Sequence, residues 1–205
     1  MNLTYLKNAH QFRTIIDIGA NDGAFGAYLQ RFFEAEKVIA FEPQAKHRPE
    51  LESRGFEVHT VAVSDRSGTA SLSVTEADSA SSLLPVADVT KAEWGELVSV
   101  VGAEDVRTEL LDNCIDGKFD DELLIKIDAQ GFETEIIDGG KATFGRASCV
   151  LVEVSFLPIY DGQGLFNDFH QRLDQLGFRL SGFRSQHDSA ADGRPLFAHA
   201  VYEKH

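Results

Sequence analysis

Two glycines four residues apart, Gly19 and Gly23, follow a short apolar run, and a glutamate, Glu42, closes the next such run. The segment DIGANDG (17–23) puts Gly19 directly after a strand and Gly23 at the opening of a helix. Backbone N–H groups in such a loop face whatever binds beyond the strand ends, and Ala20 and Asn21 share it. Glycine at 19 permits the sharp turn and keeps a side chain from holding a ligand off the backbone. Asp17 is placed to hydrogen-bond nearby amides or a ligand ammonium. Glu42 lies 25 residues after Asp17, where a carboxylate accepts two hydrogen bonds from a ribose diol. A dinucleotide fold is expected to show GxGxxG, whereas the glycines here stand at 19, 23 and 26; that spacing disfavours NAD or FAD. The plainer account, a tight turn and an unrelated surface carboxylate, explains each feature singly but not both at this separation.

Positioning those groups requires strands alternating with helices, and most of the chain reads that way. TIIDIG (14–19) is a buried first strand, and GAFGAYLQRFFEAE after it repeats Phe25, Leu29, Phe32 and Phe33 at helical spacing. KVIAFEP (37–43) is the second strand, stopped by Pro43; a helix ending at Gly55 leads to a third strand, 56–65. Ser67–Gly68 suggests a hairpin turn into a short antiparallel addition. Residues 76–110 are irregular and rich in Ser, Ala, Asp and Val, as expected of an insertion over the active site. A fourth strand is predicted at 121–131, a helix over FETEIIDGG, a fifth strand at 147–156, and a helix at 167–178. RLSGF and LFAHAVYEK form a final antiparallel pair around a polar loop, 184–195. The fold class expected is α/β: a doubly wound, mostly parallel, Rossmann-like sheet of seven strands with helices on both faces and a C-terminal antiparallel pair.

At 205 residues the chain suits a single domain, 1–205, able to bury a full core. A net charge of −14 argues against partners that are nucleic acids or anionic membranes. It is compatible with a small neutral or cationic molecule, or a carbohydrate. The start has no apolar core of signal-peptide length and no run approaches a membrane span, so the expected location is cytoplasmic. Cys114 and Cys149 lack CxxC spacing and read as buried thiols.

Several segments resemble the FkbM family of methyltransferases, within the class I fold. DIGANDG is similar to the family's first motif, FEP (41–43) to its second, and AVSDRSGTASL (62–72) to the segment after the third strand, which brings Ala62 to the cofactor side. SSLLP (81–85), LLIKIDAQGFETEIIDGG (123–140) and LVEVSFLPIYDGQGLF (151–166) continue the resemblance over nearly the whole chain. KIDxQGxE is the more specific feature, because glycine loops occur in many nucleotide-binding folds. The resemblance implies S-adenosylmethionine as cofactor and O-methylation of a hydroxyl on a small molecule, sugar or natural product, with the acceptor and oligomeric state open. Asp17, Gly19, Ala20, Asn21, Gly23, Phe25, Glu42, Pro43, Ala62 and Asp128 are then the expected cofactor residues.

Methyl transfer to an alcohol needs the oxygen held in line and its proton taken away. Asp128, at the end of the fourth strand, is the first choice for a catalytic or acceptor-orienting role, although cofactor or loop hydrogen bonding alone would also explain it. Glu153 and Glu133 are the other nearby carboxylates; a helix-start residue stabilised by the dipole is the bland account of Glu133. Lys126, in a central strand, must pair with a carboxylate, and Glu153 on the adjacent strand is the candidate partner. Ser81 and Ser82 are candidate acceptor contacts, as is His187, the one histidine singled out. His10, His47, His59, His170 and His199 show no metal-ligand spacing. Two carboxylates suit a hard divalent ion but are too few to predict one, so no metal is expected. A non-catalytic nucleoside-binding module and a nicotinamide-dependent oxidoreductase are the alternative functions.

Overall fold

β-Branched and aliphatic runs form the strands of the main sheet. In TIIDI and LLIKI successive side chains meet opposite layers, so a strand buried on both faces is mostly apolar along its length. The computed structural model describes residues 2–115 and 122–204. In chain order the elements are α1 (Thr4–Ala9), β1 (Thr14–Ile18), α2 (Ala24–Phe33), β2 (Lys37–Phe41), α3 (Arg48–Ser53), β3 (Glu57–His59), β4 (Ala62–Val63) and β5 (Gly68–Thr75). They continue with α4 (Asp88–Trp94), β6 (Val100–Glu109), α5 (Leu111–Cys114), β7 (Leu123–Ile127), α6 (Glu133–Gly139), α7 (Lys141–Phe144), β8 (Cys149–Ser155), α8 (Phe166–Gln175), β9 (Phe178–Asp188) and β10 (Pro195–Lys204).

Seven strands form one sheet in the order β3-β2-β1-β7-β8-β10-β9, parallel except for β10, which runs antiparallel to both β8 and β9. The order reverses direction between β1 and β7, where ligands of open α/β sheets bind. One face, carrying Ile16, Ile125 and Val152, packs against Leu111, Ile136, Phe144 and Phe169 of α5 to α8. The other, carrying Ile15, Leu124 and Leu151, packs against Leu6, Leu29 and Leu51 of α1 to α3. Each fully buried Ile or Leu in these layers contributes roughly 1.5–3 kcal/mol. No helix among the described residues is long and apolar enough to cross a membrane.

Four local expectations change. The predicted third strand, 56–65, divides into β3 in the main sheet and β4 in a second sheet of order β4-β6-β5. Ser67–Gly68 does not close a hairpin between neighbours, because β6 lies between β4 and β5 and pairs with both. Thus residues 76–110 are less irregular than expected, since they include α4 and the central strand of that sheet. The polar loop 184–195 shrinks, with β9 running to Asp188, and α1 precedes the first strand. Asp121, at the start of the predicted fourth strand, lies outside the described residues.

Residues 84–98 are fastened over the sheet ends by a small separate core in which Val86, Val98, Ile159, Tyr160 and Leu196 are buried beside Trp94 and Phe197. The Thr90 hydroxyl donates to the Ile159 carbonyl at 2.5 Å and pins α4 to the loop after β8.

Candidate active site

Side chains of one parity on β1, β7, β8 and β10 point to the α2 side of the sheet. Asp17 is in register with Lys126, Lys126 with Leu151, and Leu151 with Val201. One two-residue step toward the strand ends, the same face carries Asp128, Glu153 and His199, with Glu153 paired to His199. The lower row is buried, with only Lys126 reaching a cavity wall, and the upper row opens into cavities.

Lys126 is 4% exposed and Asp17 wholly buried, with Nζ and Oδ1 2.9 Å apart. The ammonium also donates to the carbonyls of Gly19, at 2.7 Å, and Ile18, at 3.3 Å. Burial opposes charge on Lys126, but the Asp17 and Asp128 carboxylates outweigh it and raise its pKa. Burial also pushes the Asp17 carboxyl upward against the pull of Lys126. As an ammonium, Lys126 has three N–H donors for these three acceptors, and its raised pKa favours that form, so we assign the ionised pair. This corrects two expectations: the partner of Lys126 is Asp17 and not Glu153, and Asp17 lines none of the cavities. The Lys126 side chain lies between β1 and β7, whereas Glu153 is one step higher.

Gly19 has φ +73°, and a Cβ there would lie 1.8 Å from the Asp128 carbonyl. Its glycine is therefore required by the close approach of β1 to the end of β7. At Gly23, φ +76°, a Cβ would meet Leu51 at 2.6 Å; it lets α2 pack on α3 and lines no cavity.

Beyond these turns lie three adjoining cavities. The first is a narrow slot between the β1 and β2 ends, bounded by Gly19, Asn21, Phe41, Glu42, Pro43 and Ala62, with Ser81 and Ser82 opposite. Glu42 is 5% exposed, and its two oxygens accept the Asn21 and Gln44 backbone N–H groups, each at 2.9 Å. Burial raises its pKa, against the pull of those two bonds. The second cavity, about 700 Å³, is lined by Ala20, Asn21, Phe25, Lys126, Asp128 and His199. The third, about 370 Å³, is walled by Trp94, Ile159, Tyr160 and Phe197 with Gln130 and Glu153. Asp128 and Ser79 line all three.

The turn after β7 fixes Asp128. Gln130, at φ +53°, donates from Nε2 to Asp128 Oδ1 at 2.6 Å, and its own Oε1 accepts the Tyr160 hydroxyl at 2.7 Å. The Ser82 hydroxyl donates to the Gln130 carbonyl at 2.6 Å. Glu133 Oε1 accepts the Ala129 and Gly131 N–H groups, at 3.0 and 3.1 Å. Glu133 thus faces the turn and lines no cavity, so its place is that of a positioning residue. Burial raises its pKa to about 7 despite those bonds.

That shift has a sign for stability. An unfolded glutamate titrates near 4.5 and the folded one near 7, so between these values the native state holds the extra proton and loses stability as pH rises. Glu133→Gln, which keeps an acceptor for both N–H groups, should flatten the decline by up to one proton's worth. Urea midpoints measured across that range test it; an unchanged slope would show Glu133 ionised throughout.

Burial, followed by the charges of Asp128 and Glu133, raises Glu153 well above the usual carboxylate range. His199 is lowered by burial, against the pull of Asp128, and its Nδ1 is buried with no hydrogen-bond partner.

The Methyltransferase FkbM domain matches residues 17–180, which span β1 to β9 and every wall of the slot. This chain belongs to the FkbM methyltransferase family. It is 28% identical over 163 residues to the 2-O-methyltransferase NoeI of Sinorhizobium fredii (strain NBRC 101917 / NGR234), an alignment covering 73% of this chain and 66% of that protein. The chain therefore spans just under two thirds of that relative's length. Among solved structures, a proposed S-adenosylmethionine-dependent methyltransferase from Listeria monocytogenes superposes with a TM-score of 0.53 at 12% identity, over 96% of this chain and 92% of that one. Magnesium protoporphyrin IX methyltransferase (ChlM) from Synechocystis PCC 6803, solved with bound SAM, gives 0.51 at 10% identity over 98% and 74%. At such identity these structures share the fold.

In this FkbM chain the candidate acceptor residues separate. Ser81 and Ser82 border the slot beside Glu42; Ser82 also accepts the Leu84 N–H at 2.9 Å, and Ser81 the Thr75 N–H at 3.2 Å. His187, expected in the loop 184–195, belongs to β9 and stacks on Phe197 with ring centroids 5.0 Å apart, behind the third cavity. The histidine that reaches the cavities is His199. Its presence in LFAHAVY was visible, but its alignment with Glu153 depends on an antiparallel register that no local pattern encodes. Ser79, Gln130 and Tyr160 were likewise passed over; only Gln130, inside the IDAQG segment, carried a signal.

Proposed function

We propose that this chain transfers a methyl group from S-adenosylmethionine to a hydroxyl of a small acceptor, a sugar or a hydroxylated metabolite. The observation that carries the reading is the buried Glu42 carboxylate, held by two backbone N–H groups in a slot that meets two further cavities at Asp128. The residues fit the cofactor. Each Glu42 oxygen keeps a lone pair for a ribose hydroxyl, Phe41, Pro43, Ala62 and Leu72 supply apolar walls for the base, and Asp128 offers a carboxylate to the amino acid portion.

When bound, S-adenosylmethionine supplies a methyl group already activated by a sulfonium. What remains for the protein is to hold an oxygen in line, exclude water and receive a proton. The third cavity suits that oxygen: Trp94, Tyr160 and Phe197 give aromatic faces on which the C–H faces of a ring pack, and Asp128 and Glu153 give polar partners. Asp128 is the proton acceptor in this reading, because its Oδ1 is fixed by Gln130 while its second oxygen is not. Glu153, on the wall of the same cavity, orients the hydroxyl. The 2-O-methyltransferase relative, at 28% identity, supports a hydroxyl acceptor.

Saturating S-adenosylhomocysteine should raise the melting temperature, and Glu42→Ala should reduce that affinity at least about tenfold, as expected from losing charge-assisted bonds of about 1.5–3 kcal/mol. Absence of any shift or heat of binding in the unaltered protein would overturn the reading. Methyl transfer to any member of a panel of hydroxylated compounds excludes a non-catalytic module, and tight NAD binding would favour an oxidoreductase.

A further inference from the structure

We infer that Asp128, Glu153 and His199 hold a divalent transition-metal ion where the second and third cavities meet. One donor atom from each side chain lies within 4.8 Å of the others, and the three residues come from three adjacent strand ends. Bonds of about 2.1 Å hold three ligand atoms no more than roughly 3.6 Å from one another, so side-chain shifts of up to about 0.7 Å each close the cluster.

Three features point to a cation and not to an acidic patch. The half-buried Glu153 side chain lines the third cavity and makes no hydrogen bond among the described residues. His199 Nδ1 is buried without a partner. The nearby ammonium, Lys126, cannot supply the missing charge, since its three donors are engaged by Asp17, Ile18 and Gly19. Asp128 is oriented through Gln130, the kind of supporting bond that fixes metal-binding carboxylates.

Two carboxylate oxygens and one imidazole nitrogen form a mixed hard set suited to Mn²⁺, Fe²⁺ or Zn²⁺, whereas Ca²⁺ and Mg²⁺ favour oxygen alone. Three protein ligands leave positions open, and the cavity beside Glu153 faces them. An acceptor hydroxyl oxygen there would take a coordination position, which lowers its pKa and fixes its direction. This role rests on the proposed methyl transfer; binding of the ion does not.

The test uses the full chain, freed of metal by a chelator and titrated with Mn²⁺ while free ion is followed by electron paramagnetic resonance. One Mn²⁺ per chain should bind, with competition by Zn²⁺. Losing a supporting residue around a metal weakens binding about 10–100-fold, so Glu153→Gln and His199→Ala, which remove ligands, should each weaken it at least about tenfold. S-adenosylhomocysteine binding checks that each variant folds, and His199→Gln replaces any His199→Ala that does not. Absence of saturable Mn²⁺ and Zn²⁺ binding, or an affinity in both variants equal to that of the unaltered protein, overturns the assignment. Protein that binds the nucleoside but no metal loses only this site, and protein that binds metal but no nucleoside loses only the cofactor reading.

Discussion

Asp128→Asn is expected to lower kcat/KM for methyl transfer by roughly 10²–10⁴, the range for removing a positioned general base. The substitution keeps an oxygen for the Gln130 amide, which lies 2.6 Å from Oδ1, so the turn and the three cavities should persist. What disappears is the negative charge at their junction, and with it a receiver for the hydroxyl proton. S-adenosylhomocysteine release, followed with any acceptor that turns over, measures the loss. Nucleoside affinity, assigned mainly to Glu42 in the proposed reading, should change far less than turnover. Activity within about threefold of the unaltered enzyme would remove Asp128 from the chemistry and leave it a structural end of β7.

Lys126→Met has the largest expected effect on stability. It leaves the wholly buried Asp17 carboxylate with no counter-charge at 2.9 Å and strips the Gly19 and Ile18 carbonyls of a donor. Breaking such a pair from one side costs about 3–5 kcal/mol. The double substitution Asp17→Asn, Lys126→Met removes both charges and should recover much of that loss, so denaturant unfolding of the four proteins in a cycle isolates the pair. A single-variant loss below about 1 kcal/mol would mean that water reaches Asp17 and that the pair behaves like a surface one. Because Lys126 holds the Gly19 carbonyl, the single variant should also weaken nucleoside binding.

Legibility differed between elements for physical reasons. The runs TIIDI, KVIAF, LLIKI and CVLVEVS fall in a sheet buried on both faces, where most positions are apolar, and their composition marks them without tertiary context. The 56–65 segment, apolar at half its positions, divided, because β4 leaves the main sheet to pair with β6, a strand more than thirty residues further on. Residues 100–109 form a ten-residue strand although seven are polar, glycine or alanine, since β6 lies in an outer sheet with one wetted face. Glu42 was readable because one strand, one turn and one carboxylate define its place. Pairing Lys126 with Glu153 failed because adjacency of strands does not set the level along them: β1 offers Asp17 at the same level, while β8 offers Leu151.

Taken alone, the sequence determined the alternating architecture, the Gly19 turn, the Glu42 carboxylate beyond the second strand and the FkbM resemblance around Lys126 and Asp128, all properties of segments that are continuous in the chain. Tertiary structure decided that Asp17 neutralises Lys126 beneath the turn, that Gly19 is glycine because the Asp128 carbonyl crosses it, and that Glu133 fastens a turn outside the cavities. It also brought His199 to Glu153. Each of these depends on the register between strands distant in sequence, and register follows from the packing of both sheet faces at once, which no single segment contains.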